Sequence, residues 1–453
     1  MRARVLGILV SGGPAPGINS VIGAATIEAI NNRFAVIGIY DGFSRLADAG
    51  FDPDKHTTPL TIGRVSRIHF SGGALLRTSR VNLIDEKTTS VSAKVQPDGI
   101  KLEQVLANLR MLGVTHLLTI GGDDTALSAR FVDEAAGQAL RVVHCPKTID
   151  NDLPLPGDVK TFGFATARHL GAELTKHLME DARCTSRWYI VVTMGRKAGF
   201  LALGIGKAAG ATISLIPEEF PERTSIAQIA DVLEGAIIKR LSHGRSDGVA
   251  VVAEGLAYRL GDVDELERLL ERKIPLDAAG HPRLSEVPLA RLLTDELTRR
   301  FKQRGAEQSF VAHTLGYEMR CAPPTPFEMD YCRDLGFGAV QLLRGSEETY
   351  PPGVMITYQN GNLVPMDFAD MIDPVTGRTR IRQVDLQCDH YRVARAYMIR
   401  LERADLESPD RLGRLASAAG MSPEAFRQRF ASAVFDLDDG TGSRTASHER
   451  VVA

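Results

Sequence analysis

Two short stretches constrain this chain more than any other feature: Thr119-Ile120-Gly121-Gly122-Asp123-Asp124-Thr125 and Pro146-Lys147-Thr148-Ile149-Asp150-Asn151-Asp152. Each follows an apolar run of β character, Thr115–Ile120 and Leu140–Cys145, and each then breaks into glycine or proline and into acid. In open α/β sheets, ligands bind in the crevice beyond the carboxyl ends of the strands. The expectation is a meeting point of Asp123, Asp124, Asp150 and Asp152 with Lys147 and Thr148. Clustered carboxylates repel unless a cation or a proton sits between them, and a lysine among them calls for an anion as well. Magnesium with phosphate is the simplest chemistry that satisfies both.

The rest of the chain supplies a frame for such a crevice. Val5–Val10 is a continuous apolar run, the pattern of a strand buried on both faces. The loop Ser11-Gly12-Gly13-Pro14-Ala15-Pro16-Gly17 follows, and Ile18–Asn31 has helical periodicity. Free N–H groups at a helix start attract anions, but this loop is neither GxGxxG nor a Walker sequence. On its own it does not separate an anion site from a ligand-free turn. Phe34–Tyr40 reads as a second strand, and Gly72–Arg80 as another glycine turn carrying Arg77 and Arg80. Residues 81–100 read as a polar, loop-rich insertion and Leu102–Leu112 as an amphipathic helix. This β-α-β rhythm predicts a mostly parallel, doubly wound sheet.

A second α/β lobe follows. A long helical pattern ends near Arg183, Arg187–Thr193 reads as a strand, and Met194–Gly199 is its exit loop. Helix 201–209, strand 212–216, helix 225–241 and strand Gly248–Ala253 continue the rhythm, the last ending in Glu254-Gly255. A charged, irregular segment over 257–308 precedes the strand Val311–Leu315. Pro323–Leu343 reads as helix, and Val354–Asp367 as a hairpin turning at Asn360-Gly361. Tyr391–Arg403 reads as a basic amphipathic helix docked on the core, and the tail from about residue 436 as frayed.

Composition removes several classes of function. A net charge of −2 argues against nucleic acid as the main partner. The five cysteines are scattered without CxxC spacing, which suits reduced thiols in the cytosol rather than disulfides or zinc. The N-terminus is too short in apolar residues for a signal segment, and no run of about 18 apolar residues exists to span a membrane. A cytoplasmic protein is expected.

In chain order, the stations SGGPAPGIN, GGALLRTSR, GGDDTALSA, PKTIDND, MGRKAGF, AEG and LGYEMR resemble the phosphofructokinase family. The resemblance implies two Rossmann-like lobes with the active site in the cleft between them. It places residues 1–161 with about 319–370 in a phosphoryl-donor lobe, and 162–318 in a sugar-phosphate lobe with an insertion at about 257–308. Residues 371–435 are then a C-terminal helical extension and 436–453 a flexible tail.

Two positions speak to the donor. ATP-using members have glycine where this chain has Asp124 and Lys147, so the sequence resembles the pyrophosphate-dependent branch. Glycine leaves room for an α-phosphate and a nucleoside, whereas these side chains occupy that space. The Asp124 carboxylate also repels an α-phosphate, and Lys147 offers a point charge to pyrophosphate. The implied reaction is reversible transfer of a phosphoryl group from pyrophosphate to the 1-hydroxyl of fructose 6-phosphate, giving fructose 1,6-bisphosphate and phosphate.

The resemblance also assigns roles. Asp150 is the general base, with Asp124, Lys147 and Arg196 in the catalytic set. Asp123 holds Mg²⁺, which needs only one or two carboxylates beside phosphate. Gly12, through its loop N–H groups, and Arg80 receive pyrophosphate. Thr148, Ile149, Asp150, Met194, Gly195, Arg196 and Glu254 hold the sugar, and Tyr317 and Arg320 close on its 6-phosphate. Arg187 matches an arginine that reaches a neighbouring subunit's site, which implies a homodimer or homotetramer. Pro14 replaces the aspartate of the ATP-type loop, Tyr317 stands where many members have histidine, and Val311 where many have arginine. An ATP-dependent enzyme and a non-catalytic regulatory subunit of the same fold remain the alternatives.

Overall fold

The computed structural model describes residues 4–85, 94–261, 263–270, 273–274, 287–345 and 353–434. The expected frayed tail and part of the 81–100 insertion lie outside these. The chain divides into two compact units. The first holds the described residues of Met1–Leu170 and Gly316–Arg382, the second those of Gly171–Pro275, Pro282–Leu315 and Gln383–Ala453.

In the first unit, β1 (Val5–Val10) pairs in parallel with β2 (Ala35–Ile39) on one side and with β4 (His116–Gly121) on the other. β3 (Thr57–Pro59) is an antiparallel edge strand beside β2, and β5 (Arg141–Thr148) lies beside β4. The hairpin of β11 (Val354–Gln359) and β12 (Asn362–Asp367) joins through β11 next to β5. Its turn forms at Asn360 and Gly361, with φ of 49° and 80°, the left-handed pair that a two-residue hairpin requires. The sheet order β12-β11-β5-β4-β1-β2-β3 reverses direction between β1 and β4. That reversal is a topological switch point, where the loops after neighbouring strands part and open a crevice.

The apolar runs are continuous because both faces of the sheet are covered. Leu6, Ile8 and Val10 of β1 join Leu118, Ile120, Val143 and Cys145 in one cluster. Helices Ile18–Asn31 and Pro326–Arg344 cover that face. Leu9, Leu117 and Val142 point the other way, into a second cluster under helices Gly99–Met111 and Asp123–Ala136. Each buried aliphatic side chain contributes roughly 1.5–3 kcal/mol, so the strand ends are anchored on both sides.

One element corrects the sequence reading in a way that matters for the site. β5 does not stop at Cys145 but runs through Pro146 to Thr148. Proline is tolerated because β4 ends opposite it, at Gly121. Beyond Pro146 the strand takes a new partner, β6 (Phe162–Gly163), which pairs with Lys147 and Thr148. Lys147 and Thr148 therefore stand on a strand, and only Ile149 onward forms the turn.

The second unit is built on a parallel sheet, β10-β7-β9-β8. Its strands are β7 (Arg187–Thr193), β8 (Ile213–Leu215), β9 (Gly248–Ala253) and β10 (Ser309–Leu315). Segment 257–308 is less irregular than its composition suggests, because Leu289–Gln303 is a helix. Its Arg300 is buried and bonds Asp231 at 2.6 Å and Glu234 at 2.8 Å. The basic helix is also shorter than expected. It spans Asp389–Tyr397, because Ile399 then donates to the Thr212 carbonyl and Arg400 turns inward onto Glu219 at 2.7 Å. Leu401, Leu406, Leu412, Leu415, Phe426 and Phe430 share one apolar cluster with Trp188 and Ile190. The helices past residue 382 thus belong to this unit's core. No helix among the described residues is long and apolar enough to cross a membrane.

Candidate active site

The switch point gathers the first unit's glycine loops. Gly12, just past β1, has φ of 80°, and its N–H donates to the Ser79 carbonyl at 2.7 Å. This corrects one expectation: the Gly12 N–H is engaged within the protein, and what Gly12 offers is the absence of a side chain. A Cβ there would lie 3.2 Å from the Lys147 Nζ and 3.8 Å from the Thr125 hydroxyl. Lys147 is 3% exposed, and its ammonium donates to the Gly13 carbonyl. The lysine on β5 thus reaches across β4 to the loop after β1. A Cβ on Gly122 would lie 3.6 Å from the Lys147 carbonyl, so the GGDD turn lies against the same lysine.

The second glycine turn is tied in by the first helix. The Asn19 amide donates to the carbonyls of Ser71 and Gly72, and its oxygen accepts from the Leu75 N–H at 2.8 Å. Arg77 is a structural residue, paired with Asp41 at 2.9 Å and lying over the Tyr40 ring. Arg80 is exposed. The helix Tyr317–Arg320 meets both glycine turns. A Cβ on Gly72 would strike the Cys321 carbonyl at 2.0 Å, and one on Gly13 would overlap the Arg320 guanidinium at 1.9 Å. Arg320, expected at the sugar's 6-phosphate, is thus packed on the backbone of the SGG loop. Tyr317 is 75% exposed, with the Arg320 guanidinium 5.5 Å from its ring centre.

Asp123 and Asp124 occupy the first turn of helix Asp123–Ala136, where carboxylates complement the helix dipole. Asp123 is half-buried and Asp124 exposed. Beneath this turn is a residue that sequence reasoning missed. His144 is fully buried, with Nε2 3.1 Å from the Gly121 carbonyl and Nδ1 2.9 Å from the Thr119 hydroxyl. A carbonyl only accepts, so Nε2 carries the proton and the Thr119 hydroxyl donates to Nδ1. Burial pushes the imidazole's pKa down to about 3, which keeps it neutral. No spacing rule points to it, because it lies inside a mostly apolar run.

Thr148 and Asp150 form a closed pair. The Thr148 hydroxyl donates to Asp150 Oδ2 at 3.0 Å and accepts from the Asp150 N–H at 3.0 Å. Asp150 is 8% exposed, Ile149 6% and Asp152 5%. Among the described residues no three acidic, histidine or cysteine side chains group as a metal-holding set. A single carboxylate beside phosphate oxygens fits Mg²⁺, which keeps several of its waters.

In the second unit, Glu254 follows β9 and Met194-Gly195-Arg196 follows β7. Glu254 Oε1 accepts the N–H groups of Gly195 at 3.1 Å and Arg196 at 2.7 Å. Glu254 thus holds the loop's backbone through Oε1. Arg196, exposed and at φ of 51°, is presented by that loop. Arg187 begins β7 at its opposite end, with its Nε buried.

Comparison with known proteins agrees with this architecture. The phosphofructokinase family profile matches residues 5–343. The chain is 50% identical over 428 residues to a pyrophosphate–fructose 6-phosphate 1-phosphotransferase of Thermotoga maritima, covering 94% of this chain and 98% of that one. It is 48% identical over 435 residues to the protein of the same name from Naegleria fowleri, covering 94% of each. The crystal structure of a pyrophosphate-dependent phosphofructokinase from Marinobacter aquaeolei superposes with a TM-score of 0.61 at 15% identity, over 92% of this chain and 91% of that one. Glycine turns at a sheet's switch point, PKTIDND beside them and similarity over nearly the whole length lead to one assignment: this chain belongs to the phosphofructokinase family.

Proposed function

We infer that the chain transfers a phosphoryl group from pyrophosphate to the 1-hydroxyl of fructose 6-phosphate, reversibly. The observation that carries the donor assignment is Lys147, 3% exposed, with its ammonium at the Gly13 carbonyl and beside the empty Cβ position of Gly12. An ammonium there meets the terminal phosphates and fills space that glycine would leave for an α-phosphate. Asp124, exposed in the first turn of helix Asp123–Ala136, adds like-charge repulsion against a longer polyphosphate chain.

In this reading Asp123 would hold Mg²⁺, and the ion would supply neutralising charge to the phosphates. Asp150 accepts the proton of the attacking 1-hydroxyl while that oxygen bonds to phosphorus and phosphate departs. Thr148 orients the Asp150 carboxylate by donating to Oδ2. Arg196 and the Met194-Gly195 backbone, fixed by Glu254, serve the sugar phosphate. Arg80 and Arg320 supply further positive charge.

The geometry of β7 supports the subunit-sharing role of Arg187. Seven residue steps separate Arg187 from Met194, about 23 Å at roughly 3.3 Å each. One chain cannot bring both ends of that strand to one sugar phosphate, which supports a place for Arg187 at a second copy's site. The reading is tested by incubating the protein with fructose 6-phosphate and Mg-pyrophosphate and following both products. Fructose 1,6-bisphosphate and phosphate should appear in equal amounts, and the two together should regenerate pyrophosphate. Phosphate release without bisphosphate would mean a pyrophosphatase and overturn it.

A further inference from the structure

The family match ends at residue 343, yet the chain returns to the acidic loops well after it. Asp373 to Gly377 forms a turn, with the Gly377 N–H on the Asp373 carbonyl at 2.8 Å, and residues 379–382 run back along the first unit. The Thr379 hydroxyl donates to the Asp123 carbonyl at 3.3 Å. The Arg382 N–H donates to the Asp152 carbonyl at 2.8 Å. One short strap therefore touches both acid-bearing turns.

The Arg382 side chain does most of the holding. Its Nε donates to the Asn151 carbonyl at 3.2 Å and its Nη2 to the Asn151 Oδ1. Its Nη1 donates to the carbonyls of Val159 at 2.8 Å and Leu155 at 3.4 Å. Asn151 needs such holding. It is fully buried at φ of 57°, in the sparsely populated left-handed region. Its side-chain oxygen also accepts from the Thr161 N–H at 3.1 Å. The carboxylate of Asp150 leaves the chain one residue earlier, so holding Asn151 fixes the peptide that Asp150 stands on.

We propose that Arg382 is a positioning residue for phosphoryl transfer: its guanidinium fork locks Asn151 in the left-handed conformation and so aims the Asp150 carboxylate at the sugar hydroxyl. The proposal rests on the assignment of Asp150 as base. The fork geometry is what matters. A planar guanidinium reaches two acceptors on Asn151 and two on the 155–159 loop at once, whereas a lysine ammonium at the same place is a point charge on a flexible stem. A small error in the aim of a catalytic group costs about 100-fold in rate, with substrate affinity largely kept.

The test measures kcat and both KM values for Arg382→Lys, Arg382→Gln and Asp150→Asn, with thermal unfolding of each. The expected result is kcat lower by about 10- to 100-fold in both Arg382 variants, KM values within about threefold, and partial recovery of kcat in Arg382→Gln on adding guanidinium below denaturing concentration. Arg382→Lys keeps the charge and the backbone bond to Asp152, so it remains measurable if the glutamine variant folds poorly. Wild-type kcat in Arg382→Lys overturns the proposal. So does a loss without a split between kcat and KM and without guanidinium recovery, which marks general destabilisation. Asp150→Asn separates the two readings. If it alone loses activity, the positioning role fails and the base assignment stands. If it keeps activity, the base assignment fails and takes the positioning role with it.

Discussion

Replacing His144 by glutamine isolates the contribution of one buried neutral imidazole beneath the GGDD turn. In the wild type, the free-chain pKa of 6.5 falls to about 3 on folding, because burial disfavours the charged ring. The folded state therefore binds fewer protons than the unfolded chain between these values. The stabilisation is present in full above pH 6.5 and is lost as the pH falls toward 3. Between pH 7 and pH 5 the loss is about 2 kcal/mol, from about 1.36 kcal/mol per unit over roughly 1.5 units. Glutamine places an amide N–H near the Nε2 position and does not titrate. At pH 7 the variant gives up the Thr119 bond and some packing, about 1–2 kcal/mol. At pH 5 that deficit should vanish. Urea titration checks this. With a slope of roughly 3 kcal/mol/M, the wild-type midpoint should fall by about 0.7 M more than the variant's between the two pH values. A gap that stays constant from pH 7 to pH 5 would refute the assignment of a neutral, buried His144.

Two further predictions concern single positions. Gly13→Ala puts a Cβ 1.9 Å from the Arg320 Nη2. The guanidinium tip can move while the fold cannot, so unfolding temperature should change little and KM for a phosphate substrate should rise at least tenfold. Asp133 has its carboxyl pushed up to about 6, chiefly by burial and then by Glu134 and Asp367. The folded state holds that proton longer than the unfolded chain, so stability falls as the pH rises from 3.8 through 6. Thermal unfolding should therefore find Asp133→Asn more stable than wild type at pH 8 and not at pH 4.

Much of this frame was legible in the residues. Apolar runs such as Val5–Val10 are strands because both faces need covering, and the Asn360-Gly361 pair permits only a tight hairpin turn. The glycines of the first two loops marked where other groups come close to the backbone: Gly12 faces the Lys147 ammonium, Gly13 the Arg320 guanidinium and Gly72 the Cys321 carbonyl. What stayed hidden depends on partners distant in sequence. β5 continues past Pro146 only because β6 supplies a new neighbour. The Gly12 N–H is engaged only because Ser79 lies opposite. That the loop after β7 rests on Glu254 shows only in the fold. Arg382 and His144 carry no motif, and their roles exist only through the turns they hold.

The central claim is that Lys147 and Asp124 select pyrophosphate over ATP, and donor competition tests it most directly. Turnover of fructose 6-phosphate should be measured with Mg-pyrophosphate and with Mg-ATP, in the wild type and in Lys147→Gly. The account predicts turnover with pyrophosphate and not ATP in the wild type, and a loss of at least 100-fold with pyrophosphate in the variant, as expected for a charge-stabilising group removed from a transition state. Efficient wild-type turnover with ATP, or a variant that still uses pyrophosphate at the wild-type rate, would contradict it.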